Sequence, residues 1–159
     1  IKNKVKLLNL SQIPFPALVC GLVGLIPFVF LSIGIYIFPY AWKLIALYNL
    51  LNYSVIILSF LGAVHWGAAI YSNNKEFKTY VWSVTPAISS WIILMGFTAN
   101  YIIIVLFLIL CFATTYYVDL LSTRKSFFPL WYLHLRKILT IVVFICLGFV
   151  AIAINNQYV

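Results

Sequence analysis

Residues 101–118 read YIIIVLFLILCFATTYYV, a run without a single charged side chain. A helix needs about 20 mostly apolar residues to cross a bilayer, and it satisfies its own backbone hydrogen bonds as it does so. We therefore predict that this run is a membrane-spanning helix. The whole chain has the same character, because 65% of its residues are hydrophobic, 8% are charged and the mean hydropathy is +1.12. Soluble domains average about 45–50% apolar and 25% charged residues, so this composition excludes a water-soluble protein.

Four further apolar runs lie on either side of residues 101–118. They predict spans at about 14–38, 44–71, 80–97 and 136–154. The predicted fold class is an all-α integral membrane protein, a bundle of five transmembrane helices. Residues 13–159 form one transmembrane domain, and residues 1–12 form a basic surface arm. Because the chain begins at Ile1 without an initiator Met, we also expect an upstream segment, such as a cleaved targeting peptide.

Two residues are expected to shape these helices. Pro27 lies in the middle of the first span, where its missing amide donor predicts a kink. Asp119 is expected to end the fourth span, and a basic, aromatic loop that lies flat on the membrane surface is expected to follow it. The last span is expected to begin between Trp131 and Ile138.

The basic residues are distributed very unequally about these spans. With five crossings, only Lys43 falls on one side of the membrane. A four-span arrangement would scatter the positive charges over both sides, so we disfavour it. By the positive-inside rule the amino terminus faces the cytoplasm or the mitochondrial matrix, and the carboxyl terminus lies outside. The same rule explains the net charge of +8, so nucleic acid is not a predicted partner. The residues on the inner side are Lys2, Lys4, Lys6, Lys75, Lys78, Arg124, Lys125, Arg136 and Lys137.

Small and polar residues predict how the helices contact one another. Small side chains at helical spacing allow a second helix to approach closely, and unsatisfied polar groups are costly in lipid. In the second span, Asn52, Ser59 and Trp66 recur every seven residues, so we expect this stripe to face other helices. The predicted helix-packing residues are Ala17, Gly21, Gly24, Asn52, Ser59 and Gly62.

His65 and Asp119 are the strongest candidates for chemistry. An imidazole near the inner interface can ligate a metal or haem, carry a proton, or hydrogen-bond a neighbouring helix. Asp119 is one of only two acidic residues, and its carboxylate could pair with His65, Arg124 or Arg136. A structural hydrogen bond is the favoured interpretation of His65, and a locked basic loop is the favoured interpretation of Asp119.

A basic and aromatic belt follows the fourth span. It suits contact with an anionic phospholipid such as cardiolipin, although simple snorkelling to the interface explains the same pattern. His134 lies in this stretch and has no spacing relation to His65. The predicted lipid-contact residues are Arg124, Lys125, Trp131, Arg136 and Lys137.

The sequence contains no catalytic signature. It has no glycine-rich phosphate loop and no HExxH, CxxC or GxSxG motif, and its only acids are Glu76 and Asp119. Cys20, Cys111 and Cys146 each lie in an apolar run, where a cysteine is usually a small buried hydrophobe. We therefore predict no catalytic site, no metal site and no cofactor. Bound phospholipid is the one ligand that we expect.

Several segments together resemble a known family. FLGAVHWG at 60–67, SVTPAISSW at 83–91, Asp119 and PLWYLHLR at 129–136 look like the pattern of an uncharacterised membrane family that includes the mitochondrial transmembrane protein 69 and bacterial homologues. The likeness extends from Ile13 to the last helix. It implies a shared topology and an inner-membrane location, but no catalytic assignment, because the family has no established reaction. The polar constellation that it implies is His65, Trp66, Asp119 and Arg136.

These observations lead to two expectations about function. The first is a non-catalytic accessory subunit or assembly partner of a larger membrane complex, in particular of the respiratory chain. Its partners would be other membrane subunits and lipids, in the mitochondrial inner membrane or, alternatively, a bacterial inner membrane. The second is a small binding or redox protein that holds quinone, haem or a proton path near His65 and Asp119. A transporter is disfavoured, because no inverted repeat or broken half-helix pair is visible.

Overall fold

A computed structural model describes residues 13–73, 75–95, 100–125 and 127–156. The basic arm predicted at residues 1–12 lies outside the described residues. The described part is helical. The helices are α1 Phe15–Val23, α2 Ile26–Ile37, α3 Tyr40–Tyr71, α4 Phe77–Leu94, α5 Tyr101–Arg124 and α6 Leu130–Asn155.

Four segments are long and apolar enough to cross a membrane: Phe15–Ile37, Tyr40–Tyr71, Tyr101–Arg124 and Leu130–Asn155. The first of them combines α1 and α2. The protein is therefore a multi-pass helical membrane protein. Helix α4 is not in this set, because a lysine, several hydroxyl side chains and Pro86 reduce its hydropathy.

The first span is broken rather than kinked. Helix α1 ends at Val23 and α2 begins at Ile26, so Pro27 stands in the first turn of a new helix, where its missing amide donor costs little. The break leaves the carbonyl of Gly24 available, and the hydroxyl of Tyr53 on α3 donates a hydrogen bond to it at 2.9 Å. Pro27 thus interrupts the first span, as the sequence predicts, but it does so at a boundary between two helices and not as a kink within one helix.

Four helices extend beyond their predicted bounds. Helix α4 begins at Phe77 rather than at residue 80. Helix α3 begins at Tyr40 rather than at residue 44, and its 32 residues give it a length of about 48 Å. Helix α5 continues to Arg124, so the prediction that Asp119 ends it is wrong. Helix α6 begins at Leu130 rather than at residue 136. Apolar runs stop at the first charged residue, whereas a helix continues through charged residues that are paired or reach the surface.

The apolar core lies between α2, α3, α5 and α6. Helix α4 packs mainly along α3, and α1 contacts α6. Helices α3 and α4 are in close contact at Gly62, because a methyl group there would overlap the carbonyl oxygen of Ser83 on α4. The largest fully buried apolar side chains are Phe28, Ile35, Leu47, Leu50, Leu51, Leu58, Val105, Leu108, Phe112, Leu147 and Val150.

Some of the packing residues predicted from sequence lie at contacts between helices, and others are exposed. A methyl group at Gly21 would lie 3.1 Å from Leu139, so α1 and α6 are close there, as are α3 and α4 at Gly62. Gly24 meets Tyr53, and Ala17 is half-buried. The α3 stripe is exposed at Asn52, Ser59 and Trp66, and Trp66 also packs against Tyr80 on α4. The prediction that the stripe faces other helices therefore stays a prediction for Asn52 and Ser59, whose neighbours would belong to another chain.

Candidate functional site

Three helices each bring one polar side chain to the same buried point. His65 lies on the α3 face that also buries Leu58 and Leu61. Asp119 shares the buried face of α5 with Phe112 and Thr115, and Arg136 shares that of α6 with Thr140 and Val143. In each helix the polar residue follows the three- and four-residue spacing of an inward stripe. The helical repeat therefore carries all three inward.

Asp119 is the centre of this group, which we call the buried charge cluster (His65, Asp119 and Arg136). Oδ1 of Asp119 lies 2.8 Å from Nε2 of His65, and Oδ2 accepts a hydrogen bond of 2.6 Å from Nε of Arg136. The three residues are only 4%, 2% and 5% exposed, respectively. A carboxylate so completely removed from water requires partners on both oxygens. The guanidinium charge balances the carboxylate charge inside the bundle.

Aromatic rings close one side of the cluster. The ring of Phe128 meets the His65 imidazole edge-on, with centroids 4.9 Å apart. The ring of Tyr132 lies over Phe128 at 4.6 Å. Both rings belong to the segment that joins α5 to α6 and to the first turn of α6. They exclude water from this side and so strengthen the electrostatic interactions beneath them.

A polar pocket lies on the other side of His65, at the end of the bundle where α3 and α5 finish and α4 begins. Its volume is about 390 Å³. Lys78 and Lys125 line it together with Glu76, and all three are exposed, so the pocket reaches the surface. Its lining residues are His65, Glu76, Lys78, Thr79, Trp82, Val118, Ser122, Lys125 and Phe127.

A second, apolar cavity lies deeper in the bundle, next to Arg136. Its volume is about 140 Å³, and residues of α1, α2, α3, α5 and α6 line it. Among its lining residues, the polar side chains are those of Arg136 and Thr140, together with the thiol of Cys20. Nη2 of Arg136 and Oγ1 of Thr140 are buried and form no hydrogen bond within the described residues. The buried charge cluster thus borders the polar pocket through His65 and the apolar cavity through Arg136.

The structure leaves the other predicted site residues outside the cluster. Trp66 is 43% exposed and packs against Tyr80 with ring centroids 5.3 Å apart. His134 is half-buried, and its Nδ1 has no hydrogen-bond partner in the described part of the chain. Arg136 does not reach the surface as a lipid contact, because Asp119 holds it inside. The remaining belt residues are exposed or half-buried: Arg124, Lys125, Trp131 and Lys137.

Sequence reasoning missed two contributors to the site. Phe128 is 8% exposed and covers His65, although its loop position gives no sign of burial. Thr140 lies one turn after Arg136, so the four-residue helical spacing could have identified it as a neighbour on the same face. For Asp119, the sequence left three partners open, and the structure shows two of them, His65 and Arg136.

The ligands required for a metal do not come together in the described segments. Within them, no three His, Cys, Asp or Glu side chains cluster closely enough to hold a metal ion. Nε2 of His65 is bonded to Asp119, so a haem iron would have to displace the carboxylate to bind that nitrogen. What the arrangement offers instead is hydrogen-bond donors beside two cavities.

The sequence matches a known family over most of its length. The family described as Protein of unknown function (DUF3429) matches residues 13–152. The chain is also similar to Transmembrane protein 69 of Xenopus tropicalis, with 35% identity over 144 residues, which cover 84% of this chain. It spans about half, 52%, of the length of that curated relative. No solved structure matches the chain.

Proposed function

Because this chain belongs to the DUF3429 family of unknown function, we propose its role from its own geometry: a non-catalytic accessory subunit or assembly partner of a larger membrane complex. One observation carries the proposal. Asn52 and Ser59 point outward from the middle of α3, and neither forms a hydrogen bond within the described part of the chain.

The position of these side chains explains why they favour a partner. They lie about 18 and 28 Å along the roughly 48 Å of α3, at the depth of the hydrocarbon core. An amide without a hydrogen-bond partner is costly there. A helix of another membrane subunit would supply the missing partner, and interhelical hydrogen bonds of this kind contribute about 0.6–2 kcal/mol each.

Small residues on the same face fit this role. Ser59, Ala63 and Gly67 follow one another at four-residue spacing, and all three are exposed. A methyl group at Gly67 would meet nothing within 4 Å. Faces of this type let two membrane helices approach closely. We call the exposed α3 face formed by Asn52, Ser59, Ala63, Trp66 and Gly67 the docking face.

The proposal includes a membrane and an orientation. We place the protein in the mitochondrial inner membrane, or in a bacterial inner membrane, as a five-span bundle with its amino terminus inside. The distribution of basic residues supports this orientation. A respiratory-chain complex is the assembly that we favour, because the chain is small, helical and without a catalytic motif.

Native electrophoresis of membranes solubilised in mild detergent tests the proposal. The wild-type chain should migrate in an assembly larger than itself. A double variant, Asn52→Leu with Ser59→Ala, should shift to the free form. Thr85→Val is the matched control, because Thr85 is an exposed hydroxyl that already bonds the carbonyl of Val81 in its own helix. A wild-type chain that runs as a stable monomer would refute the proposal.

A second candidate function rests on the polar pocket. A small binding protein would use the approximately 390 Å³ pocket, which the His65 imidazole lines together with Lys78 and Lys125. An absorption spectrum of the purified protein decides for or against haem or another chromophore. Retention of the wild-type spectrum in a His65→Phe variant would exclude His65 as a ligand.

A further inference from the structure

The polar pocket carries an excess of positive charge. Lys78 and Lys125 line it with a single carboxylate, that of Glu76, so the lysine and glutamate side chains leave one positive charge uncompensated. Neither lysine forms an ion pair within the described residues. Helix α4 begins at Phe77, beside the pocket, and the backbone amides of its first turn add partial positive charge. The pocket therefore suits a ligand that carries one negative charge.

His65 presents to this pocket the ring nitrogen that Asp119 does not bond. The residue is 4% exposed, and its Nε2 is bonded to Asp119. Nδ1 forms no hydrogen bond in the described part of the chain, yet it is not sealed from water as Nδ1 of His134 is. Because His65 lines the pocket, the open surface of Nδ1 faces it. A carboxylate only accepts, so Nε2 carries the hydrogen, and in the neutral ring Nδ1 accepts a hydrogen bond from a donor such as a hydroxyl.

The charge and the size of the pocket select a phosphodiester. Lysine is a common phosphate ligand in proteins, where it acts as a point charge. A phosphodiester carries one negative charge, which matches the excess in the pocket, whereas a phosphomonoester carries about 1.5 to 2. The volume of about 390 Å³ lies within the range of about 300–1,000 Å³ that is typical of small-molecule sites.

An exposed apolar stripe leads away from the pocket along α4. Phe77, Val81 and Val84 recur at helical spacing and are 80%, 47% and 37% exposed, respectively. Glu76 and Lys78, on either side of Phe77, line the pocket. A phosphodiester that is part of a phospholipid could place its acyl chains on this stripe, and basic pockets between membrane helices are known to receive anionic headgroups.

We propose that the polar pocket binds a phosphodiester that carries a free hydroxyl. Lys78 and Lys125 hold the phosphate, and the hydroxyl donates a hydrogen bond to Nδ1 of His65. The headgroup of an anionic phospholipid and a water-soluble glycerophosphodiester share this chemistry. The inference rests on the second candidate function, the small binding protein, and names the class of its ligand. It requires no partner subunit, so it is independent of the docking face.

Thermal unfolding of the full-length chain in nanodiscs distinguishes the two sources. Phosphatidylglycerol added to phosphatidylcholine nanodiscs should raise the unfolding temperature of the wild-type chain. Soluble glycerophosphoglycerol is added separately to nanodiscs of phosphatidylcholine alone. Stabilisation by the lipid only identifies a membrane headgroup as the ligand, and stabilisation by the soluble diester as well shows that the acyl chains are not required. Either result supports the site.

A change in the ligand tests the contact with His65 and leaves the protein intact. Phosphatidylmethanol is a phosphodiester with the same charge as phosphatidylglycerol, but its headgroup has no hydroxyl. Its affinity for the wild-type chain should be about three- to tenfold lower, the contribution of one hydrogen bond. Equal affinity for the two lipids would overturn the proposal, because the site would then recognise charge alone.

Lysine variants test the contact with the phosphate. Lys78→Gln and Lys125→Gln should each weaken phosphatidylglycerol binding about two- to fivefold, the contribution of a partly exposed ion pair, and the double variant about tenfold. Both side chains are exposed, so the fold should be retained. Lys137→Gln is the matched control, because Lys137 is also exposed but does not line the pocket.

Two results would overturn the proposal at this stage. One is an equal effect of phosphatidylglycerol and phosphatidylcholine on wild type, and the other is a loss of affinity in Lys137→Gln as large as in the double variant. A chromophore bound at His65 without any effect of phosphatidylglycerol would retain the second candidate function and overturn this inference alone. Binding of phosphatidylglycerol by a chain that migrates as a monomer would support this inference and refute only the docking face.

Discussion

Asp119 joins the two other members of the buried charge cluster, since both of them bond to its carboxylate. It is 2% exposed and accepts hydrogen bonds on both carboxylate oxygens, from side chains of two other helices. Breaking a buried pair by removing one partner costs about 3–5 kcal/mol, whereas replacing the whole pair with apolar residues is often neutral. The three residues are therefore mutually required, although the cluster as a whole is not necessarily a source of stability.

This dependence gives a prediction for Arg136. Arg136→Gln leaves the Asp119 carboxylate buried without its cation, so the free energy of unfolding in detergent should fall by about 3–5 kcal/mol. Lys137→Gln is the adjacent control; Lys137 is exposed, and its change should stay below about 1 kcal/mol. Adding Asp119→Asn to Arg136→Gln should recover part of the loss. Equal stability of the two single variants would contradict the interpretation.

At the scale of one element, α3 presents two faces with opposite packing. One face carries Gly62 against the backbone of α4, at a separation that excludes even a methyl group. The other carries Gly67, which meets only open space in the described structure. Because both glycines lie within one helix, they share the intrinsic cost of glycine, about 1 kcal/mol relative to alanine. Differences between them therefore report packing alone.

The two glycines form a matched pair for mutation. Gly62→Ala should destabilise the bundle by about 1–3 kcal/mol, because α3 and α4 must separate to admit the methyl group. Gly67→Ala should be neutral or stabilising by up to about 1 kcal/mol in the isolated protein. Thermal unfolding in a single detergent measures both. A Gly62→Ala variant as stable as Gly67→Ala would show that the two helices are not in close contact.

At the scale of the whole molecule, the ends of the helices predict a labelling pattern. Lys78 and Lys125 line one pocket and so share an end of the bundle, whereas Lys43 lies in the first turn of α3, at its far end. Cysteines introduced at 78 and 125 should react with a membrane-impermeant maleimide from the inner side only, and one at 43 from the outer side only. Labelling of positions 78 and 125 from opposite sides would refute a crossing by α4.

Hydropathy accounts for much of the fold and little of the orientation of individual side chains. Residues 101–118 identify α5, because an apolar run of that length is rarely anything but a membrane-spanning helix. The run ends just before Asp119, whereas the helix continues to Arg124. The seven-residue spacing of Asn52 and Ser59 correctly places them on one face. It cannot say whether that face looks inward, because this depends on which neighbouring helices exist to cover it.

The candidate site was predictable in the same partial way. Asp119 and His65 can be identified from the sequence because ionisable residues are rare in membrane-spanning segments. Those that occur there usually have a structural or functional role. The family resemblance already grouped Arg136 with Asp119 and His65, but the residues alone left Arg124 open as the cation. The physical reason for Arg136 is that α6 begins at Leu130 and carries Arg136 inward. The lack of a partner for Thr140 appears only after three-dimensional packing, because a hydroxyl can usually bond a carbonyl of its own helix.

The buried charge cluster lies between two cavities, and this position affects whether ions can cross the membrane through the protein. His65 lines the pocket that reaches the surface, Arg136 lines the apolar cavity, and Asp119 lines neither. A file of water from the pocket to the cavity would have to break the buried Asp119–Arg136 ion pair, whose charges are already paired with each other. A membrane that contains this protein should therefore keep its ion gradient, with no measurable conductance contributed by the chain.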